Sequence, residues 1–296
     1  MKRERWAFVL FALGVAGIVL AIFWSLSAYG DVGRMVASKG LRPNNSFACL
    51  VSWAERCALL EEAHATNGTT PYSPLVFWAG VAMILVSFVM QLLPQSPGEG
   101  WAPRLQRLLL PVDRVSTLVG QVFAWSILLL TFVVSYEVFS RYVLGAPTDW
   151  AFDASYILYG VLFIMAGAYA LARNAHVRGD FLYRAWPPRR QAGMDLVLYI
   201  LFFFPGIIAF IYSGYGFAAQ SWFTHEHSAY SPSGLPVYHY KTVIPVTGVL
   251  LLLQGVVEVV RCLVCLRTGQ WPQRLHDVEE LEKVILEQHA GEGARP

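Results

Sequence analysis

The sequence predicts an all-α polytopic membrane protein. Of its 296 residues, 56% are hydrophobic and only 14% are charged, whereas a soluble domain carries about 25% charged residues. Several apolar runs exceed the roughly 18 residues that suffice to cross a bilayer core of about 30 Å. The runs lack the alternation of barrel strands, and backbone in lipid must satisfy its own hydrogen bonds, so each run is expected to be a helix.

Six transmembrane helices follow from the positions of these runs. The first follows the basic residues Lys2, Arg3 and Arg5, and its length exceeds that of a signal-peptide core, so we interpret it as a retained helix. Polar or turn-forming segments separate the others, and the fifth span has a possible continuation to residue 222. The predicted spans are about 6–26, 74–93, 115–136, 150–172, 194–214 and 241–264.

The distribution of Lys and Arg predicts that both termini are cytoplasmic. With six spans, 16 of the 22 basic residues fall on the side of the N-terminus, and six fall on the other side. Cytoplasmic loops carry the excess of Lys and Arg. The loop 173–190 alone holds five arginines, and most of its charge is explained by this retention signal.

Two extramembrane segments carry further expectations. The outer loop 27–73 contains Cys49 and Cys57, which could form a disulfide in an oxidising compartment or remain two thiols. Short helices are expected at 53–65 in this loop and in the headgroup plane at 180–187. The tail 269–296 has apolar residues at helical spacing, which predicts an amphipathic cytoplasmic helix.

Ionisable residues inside membrane spans are the first candidates for chemistry, and this chain has few. Glu137 and Arg141 are four residues apart and can pair. Asp153 lies in the first turn of the fourth span, after an expected N-cap at Asp149, where it complements the helix dipole. Near the end of the sixth span, Glu258 either pairs with its neighbour or extends to the headgroups. That neighbour of Glu258 is Arg261. The polar residues deeper in the spans are suited to helix–helix hydrogen bonds, and they are Gln121, Ser126, Thr131 and Gln254.

The remaining patterns argue against an enzyme and against a cofactor in this chain. No histidine lies in the middle of a span, where a b-type haem would need one. No nucleophile triad, P-loop or dinucleotide fingerprint occurs, and nothing indicates nucleic-acid binding. Only the fifth span is broken by an interior Pro-Gly, at Pro205, whereas carriers commonly break helices in two related halves. Small residues at Gly17 and Ala21, and along 166–172, instead predict faces for close helix packing.

Three motifs in order make the region from about 114 to 267 resemble the small, DctQ-type membrane subunit of tripartite ATP-independent periplasmic (TRAP) transporters. The first is "SRYVLGAPTDWAFDASY" at 140–156, although the family more often has Glu in place of its second aspartate. The second is "ARNAHVRGDFL" at 172–182, and the third is "SPSGLPVYHYKTVIPVTGVLLLLQG" at 231–255. The third motif carries the resemblance at Ser231, Pro236 and Pro245 as well as at Lys241. The positions expected to contact a partner or lipid are Arg141, Trp150, Asp153, His176, Arg178, Asp180 and Lys241.

The resemblance implies three segments in this chain and a distribution of roles between it and its partner subunits. Residues 1–110 would be an additional two-helix membrane extension, 111–268 the four-helix small-subunit region, and 269–296 the tail. The chain would be a multi-pass inner-membrane protein that scaffolds a large membrane subunit and helps to dock a periplasmic solute-binding protein. Sodium ions and the organic acid would bind in the large subunit. The residues named above would contact a partner or phospholipid headgroups, with an outer cluster around Arg141 and an inner one around His176.

Two other functions stay open at this point. A self-sufficient oligomeric carrier or channel would need Gln121, Gln254 and Glu137 to line one water-filled space. A membrane anchor of a redox enzyme would need a haem or similar group, which the positions of the histidines disfavour. The transported substrate is not encoded in these motifs.

Overall fold

The computed structural model describes residues 2–39, 73–93, 101–175, 183, 186–232 and 234–272. The predictions for Cys49 and Cys57, for the helix at 53–65, for His176, Arg178 and Asp180, and for the tail beyond residue 272 lie outside these residues. The described residues are helical almost throughout. Its helices are α1 (Lys2–Lys39), α2 (Ser73–Leu92), α3 (Trp101–Ala124), α4 (Ser126–Tyr142), α5 (Ala151–Ala172), α6 (Pro188–Leu198), α7 (Phe204–Thr224) and α8 (Tyr238–Thr268).

The prediction of an all-α protein with six membrane spans is confirmed. Six helical stretches are long and apolar enough to cross a membrane, and the described residues contain no β-strand, only one isolated bridge between His227 and Pro236. Four stretches are longer at one or both ends than predicted, because helices continue past the apolar core into polar sequence. All six stretches together are Arg5–Ser27, Pro74–Leu92, Leu109–Tyr142, Ala151–Ala172, Pro188–Thr224 and Tyr238–Thr268.

Two of these stretches contain a local irregularity. Trp125 interrupts the third stretch between α3 and α4, and its N–H bonds to the carbonyl of Val122 in a tightened turn. A single π-helical turn, Tyr199–Phe203, joins α6 to α7 directly before Pro205. Proline cannot donate a backbone hydrogen bond, and a one-turn π-bulge is a common way to absorb such a defect within a helix.

The core of the bundle is formed mainly by α1, α7 and α8. On α1, a stripe of buried side chains at helical spacing faces α2 and α7. α3 and α4 both pack against α5, and α8 lies between α5, α6 and α7. The stripe on α1 comprises Ala7, Phe11, Val15, Ile18, Ala21, Ile22 and Leu26.

Small residues allow the closest approach between helices. A Cβ added at Gly14 would lie 2.7 Å from the carbonyl oxygen of Gly80, and one added at Gly80 would lie 2.7 Å from that of Gly14. Gly17 faces the same crossing, and Ala21 is fully buried. The predicted small-residue face of α1 therefore packs against a helix of this chain, α2.

The predicted division at residues 110 and 111 falls within α3, which continues through Pro111. Nothing in the helix order marks a boundary there, and the division stays a prediction. The same holds for the cytoplasmic location of both termini.

Candidate functional site

Polar side chains gather at both ends of the bundle. We call the end near the start of α1 and the end of α8 the proximal end, and the opposite one the distal end. The guanidinium of Arg114 lies 5.8 Å from the ring centre of Phe8 at the proximal end. The ring of Phe23 meets that of Trp222 edge to face at the distal end.

A proximal network of five polar side chains joins α3 to α8. Arg261 donates from Nη1 to Oε1 of Glu258 at 2.7 Å and from Nη2 to Oδ2 of Asp113. Gln254 donates from Nε2 to Oδ1 of Asp113 at 3.0 Å, and its Oε1 accepts from the hydroxyl of Ser116 at 2.9 Å. All five side chains are buried, with Arg261 only 1% exposed and both acids 2% exposed.

Helical spacing explains why the network forms at this place. Gln254, Glu258 and Arg261 are separated by four and three residues, so they share one face of α8. Asp113 and Ser116 likewise share one face of α3. An isolated charge in such a buried position costs several kcal/mol, and each charged group here is bonded to a group of opposite charge. The network therefore holds α3 and α8 together through buried ion pairs and hydrogen bonds.

The structure confirms one part of the prediction for Glu258 and corrects the other. The pairing with Arg261 is present. Extension to the headgroups is wrong, because both side chains are buried between helices. Asp113 was missed, because it lies just before the predicted third span and next to Arg114, a pattern typical of interfacial charge.

The helix–helix hydrogen bond expected for Gln254 is confirmed by its bonds to α3. The same expectation is wrong for Thr131, whose hydroxyl donates to the carbonyl of Ile127 in its own helix at 2.8 Å. Gln121 is exposed on the surface of α3. Since Gln254 is fully buried and Glu137 lies at the distal end, the three residues do not surround a common space.

At the distal end, Glu137 holds the turn that joins α4 to α5. Its Oε1 accepts from Nε and Nη2 of Arg141 at 3.0 and 2.6 Å, which confirms the predicted pair. Its Oε2 accepts from the backbone N–H of Thr148 at 3.1 Å and from the hydroxyl of the same residue. The ring of Trp150 stacks on Tyr136 with a centre separation of 6.1 Å. Both oxygens of Glu137 are thus occupied within the chain.

Asp153 holds a second distal segment, the loop between α7 and α8. Its Oδ1 accepts from the hydroxyl of Ser228 at 2.7 Å, and its Oδ2 accepts from the hydroxyl of Ser231. The side chain is completely buried. The expected N-cap at Asp149 is wrong, because α5 begins at Ala151 with Trp150 at the N-cap position and no side-chain cap. Asp153 therefore fastens a loop in addition to lying in the first turn of α5.

Lys241 fastens the other side of the same loop. Its ammonium donates to Oε2 of Glu226 and lies 3.9 Å from the ring centre of Phe217. The hydrogen bond from Lys241 holds the pKa of the Glu226 carboxyl below its ordinary value, against the opposing effect of desolvation. Glu226 thus stays ionised as the pH falls somewhat below the usual range for a glutamate.

The predicted distal residues therefore lie in neighbouring contacts and do not form one cluster. Arg141 and Trp150 lie beside the turn between α4 and α5, whereas Asp153 and Lys241 contact the loop between α7 and α8. Contact with a partner or with lipid stays a prediction for all of them. Among the residues that the structure describes, no group of three or more His, Cys, Asp or Glu is arranged to hold a metal ion.

Comparison with known families identifies a match for the second half of the chain. Residues 130–265 match the family described as tripartite ATP-independent periplasmic transporters, DctQ component. The matched segment runs from α4 into α8 and contains the distal contacts of Glu137, Asp153 and Lys241 together with Gln254, Glu258 and Arg261. Asp113 and the helices α1 and α2 lie before it. No curated protein and no solved structure matched the chain.

Proposed function

We propose, from the premise that residues 130–265 belong to the DctQ component family of tripartite ATP-independent periplasmic (TRAP) transporters, that this chain scaffolds the large transport subunit. The chain is a DctQ-type small membrane subunit, a multi-pass inner-membrane component of a transporter. Its proposed role is non-catalytic. The large subunit would carry sodium ions and an organic acid, and a periplasmic binding protein would deliver the acid.

The engagement of the polar groups of the spanning helices with one another supports this role most directly. A site for an ion or a carboxylate needs polar atoms that are free to coordinate it. In the proximal network, the donors and acceptors of Asp113, Gln254 and Arg261 bond mainly to each other. At the distal end, the carboxylates of Glu137 and Asp153 are engaged by Arg141, threonine and serine. These residues hold helices and loops of the chain in place, as expected of a rigid scaffold.

The alternative of a self-sufficient carrier gains no support from the arrangement. It needs Gln121, Gln254 and Glu137 around one aqueous space, and these residues lie on an exposed surface, in a buried network and in a terminal turn, respectively.

Reconstitution tests the proposal. The purified chain in vesicles with an inward sodium gradient is expected to take up no radiolabelled dicarboxylate or other organic acid. Vesicles that also contain the cognate large membrane subunit, supplied with the cognate periplasmic binding protein, are expected to show sodium-dependent uptake of the acid that the binding protein recognises. Uptake by the chain alone would contradict a scaffolding role, and uptake by the large subunit without this chain would show that the scaffold is dispensable.

A further inference from the structure

We infer that the large membrane subunit docks on the exposed face of α3 and α4 that contains Gln121 and Trp125, which we call the Gln121 face. The inference rests on the proposed function. Most residues of the Gln121 face other than Gln121 are apolar. Because α4 packs mainly on α5, the remaining sides of α4 are open. The exposed large side chains of this face are Leu118, Val122, Trp125, Leu129 and Phe132.

Two polar groups on the Gln121 face lack hydrogen-bond partners. Within the described part of the chain, neither the side-chain amide of Gln121 nor the indole N–H of Trp125 makes a hydrogen bond. The two residues are four apart and thus lie on the same side of the helix, and Trp125 is 67% exposed. An amide in hydrocarbon without a partner is costly.

The depth of these groups makes water an unsuitable partner. Asp113 and Glu137 mark the polar limits of the third stretch, and they are separated by about 36 Å at 1.5 Å per residue. That length is close to the thickness of a bilayer core, about 30 Å. Gln121 then lies about 12 Å from the proximal limit and Trp125 about 18 Å from it, near the middle. Tryptophan prefers the interface over this depth.

The choice of occupant follows from what can satisfy the amide. Lipid tails offer no donor or acceptor, whereas polar side chains at membrane helix contacts hydrogen-bond across helices. Elsewhere in the bundle, α1 packs against both α2 and α7, so that side of α7 is already covered by a helix of this chain. A polytopic partner that supplies another helix with a polar side chain fits the open face, and the large subunit is the polytopic partner that the proposed function requires.

Photo-crosslinking in the intact complex tests the location. p-Benzoylphenylalanine replaces Phe132 on the Gln121 face in one preparation and Phe202 in the π-helical turn in the other. The two phenylalanines are similarly exposed, at 72% and 70%, so position 202 is a matched control for position 132. Each full-length chain is co-expressed with the large subunit, purified with it and irradiated. A covalent product with the large subunit is expected from position 132 and not from position 202.

A second measurement uses the amide itself. Gln121→Leu is expected to weaken retention of the large subunit about three- to tenfold in a detergent titration, as loss of one interhelical hydrogen bond would. Gln121→Asn keeps the amide and is expected to retain part of the affinity. Because residue 121 is exposed, the elution profile of each variant chain alone should match that of the unmodified chain.

The outcomes separate the inference from the proposed function. Failure of the unmodified chain to co-purify with the large subunit contradicts the proposed function and, with it, the inference. Co-purification with crosslinking only from position 202, or from neither position, overturns the Gln121 face while the proposed function stands. A product between two copies of this chain at position 132 also overturns it, since the occupant would then be a second copy.

Discussion

Arg261 has two acidic partners, one on its own helix and one on another helix, so its side chain links two helices. Glu258 lies on the same helix, whereas Asp113 lies 148 residues earlier on α3. Replacing one member of a buried ion pair leaves the remaining charge without compensation, and this costs more than the pair itself contributes. The free energy of unfolding should therefore respond strongly to a change at this residue.

Arg261→Met is expected to lower the free energy of unfolding by about 3–5 kcal/mol, because two buried carboxylates lose their cation. Thermal unfolding of the detergent-solubilised chain, followed by its loss from the monodisperse peak, measures the effect as a lower midpoint. Arg267→Met is the matched control, since Arg267 lies on the same helix but is exposed. Its effect is expected to stay within about 0.5 kcal/mol. Equal midpoints for both variants would show that the proximal network does not fasten α3 to α8.

The crossing of α1 and α2 shows how an element depends on the absence of a side chain. Gly14 and Gly80 let the two backbones approach so closely that a methyl group on either would meet the other's carbonyl oxygen at 2.7 Å. Without a hydrophobic driving force in lipid, such close backbone packing is a main source of helix association. The backbone oxygen cannot rotate away as a side chain can.

Gly80→Ala is expected to lower the stability of the bundle by about 1–3 kcal/mol, the usual cost of overpacking a filled interface. The same thermal assay measures it. Gly216→Ala in α7 is the control, because no atom lies within 4 Å of a Cβ added there. That substitution is expected to be neutral or stabilising, by up to about 1 kcal/mol, through reduced backbone entropy of the unfolded chain. Similar losses from both substitutions would contradict a packing role for Gly80.

An element or contact can be predicted from sequence when the residues that determine it are close together in the chain. The six spans are local, because a run of apolar residues suffices to identify each. Their ends are less certain, since α3 and α8 continue as helices through charged residues such as Arg107 and Arg267. The pair Glu137–Arg141 was predictable because its members are one helical turn apart.

The contacts that could not be predicted join residues far apart in the chain. Asp153 accepts hydrogen bonds from Ser228 and Ser231, and Asp113 accepts one from Arg261. These bonds depend on which helices become neighbours, and the periodicity of the sequence does not contain that information. One signal was present for the proximal network. Gln254, Glu258 and Arg261 form a polar stripe on one face of an apolar helix, and such a stripe in a membrane span indicates a face buried against another polar helix.

At the scale of the whole molecule, α1 and α2, which lie outside the family match, are built into the bundle. Ser25 on α1 and Tyr215 on α7 share a hydrogen bond of 2.6 Å, with Tyr215 fully buried. Phe23 packs edge to face against Trp222 with ring centres 5.4 Å apart. α1 also contacts α3 and α8. The matched segment therefore uses α1 as one wall of its own core.

Deletion of residues 1–93 is expected to destabilise the remainder, because Tyr215, Trp222 and the adjoining alanines of α7 would lose the helix that buries them. Loss of the contacts of such large buried side chains is typically worth about 3–5 kcal/mol. The monodisperse yield and the thermal midpoint of the shortened chain, purified from membranes, measure the effect.

Co-expression of residues 1–93 as a separate fragment is expected to restore the yield and midpoint, since membrane helices insert independently and then associate. A fragment with Phe23→Ala and Ser25→Ala inserts equally well but lacks the two contacts to α7, so it should restore less. If the shortened chain alone is monodisperse with an unchanged midpoint, then α1 and α2 are an accessory to the DctQ region. If only the intact fragment restores stability, the packing between α1 and α7 makes the first two helices part of the folding unit.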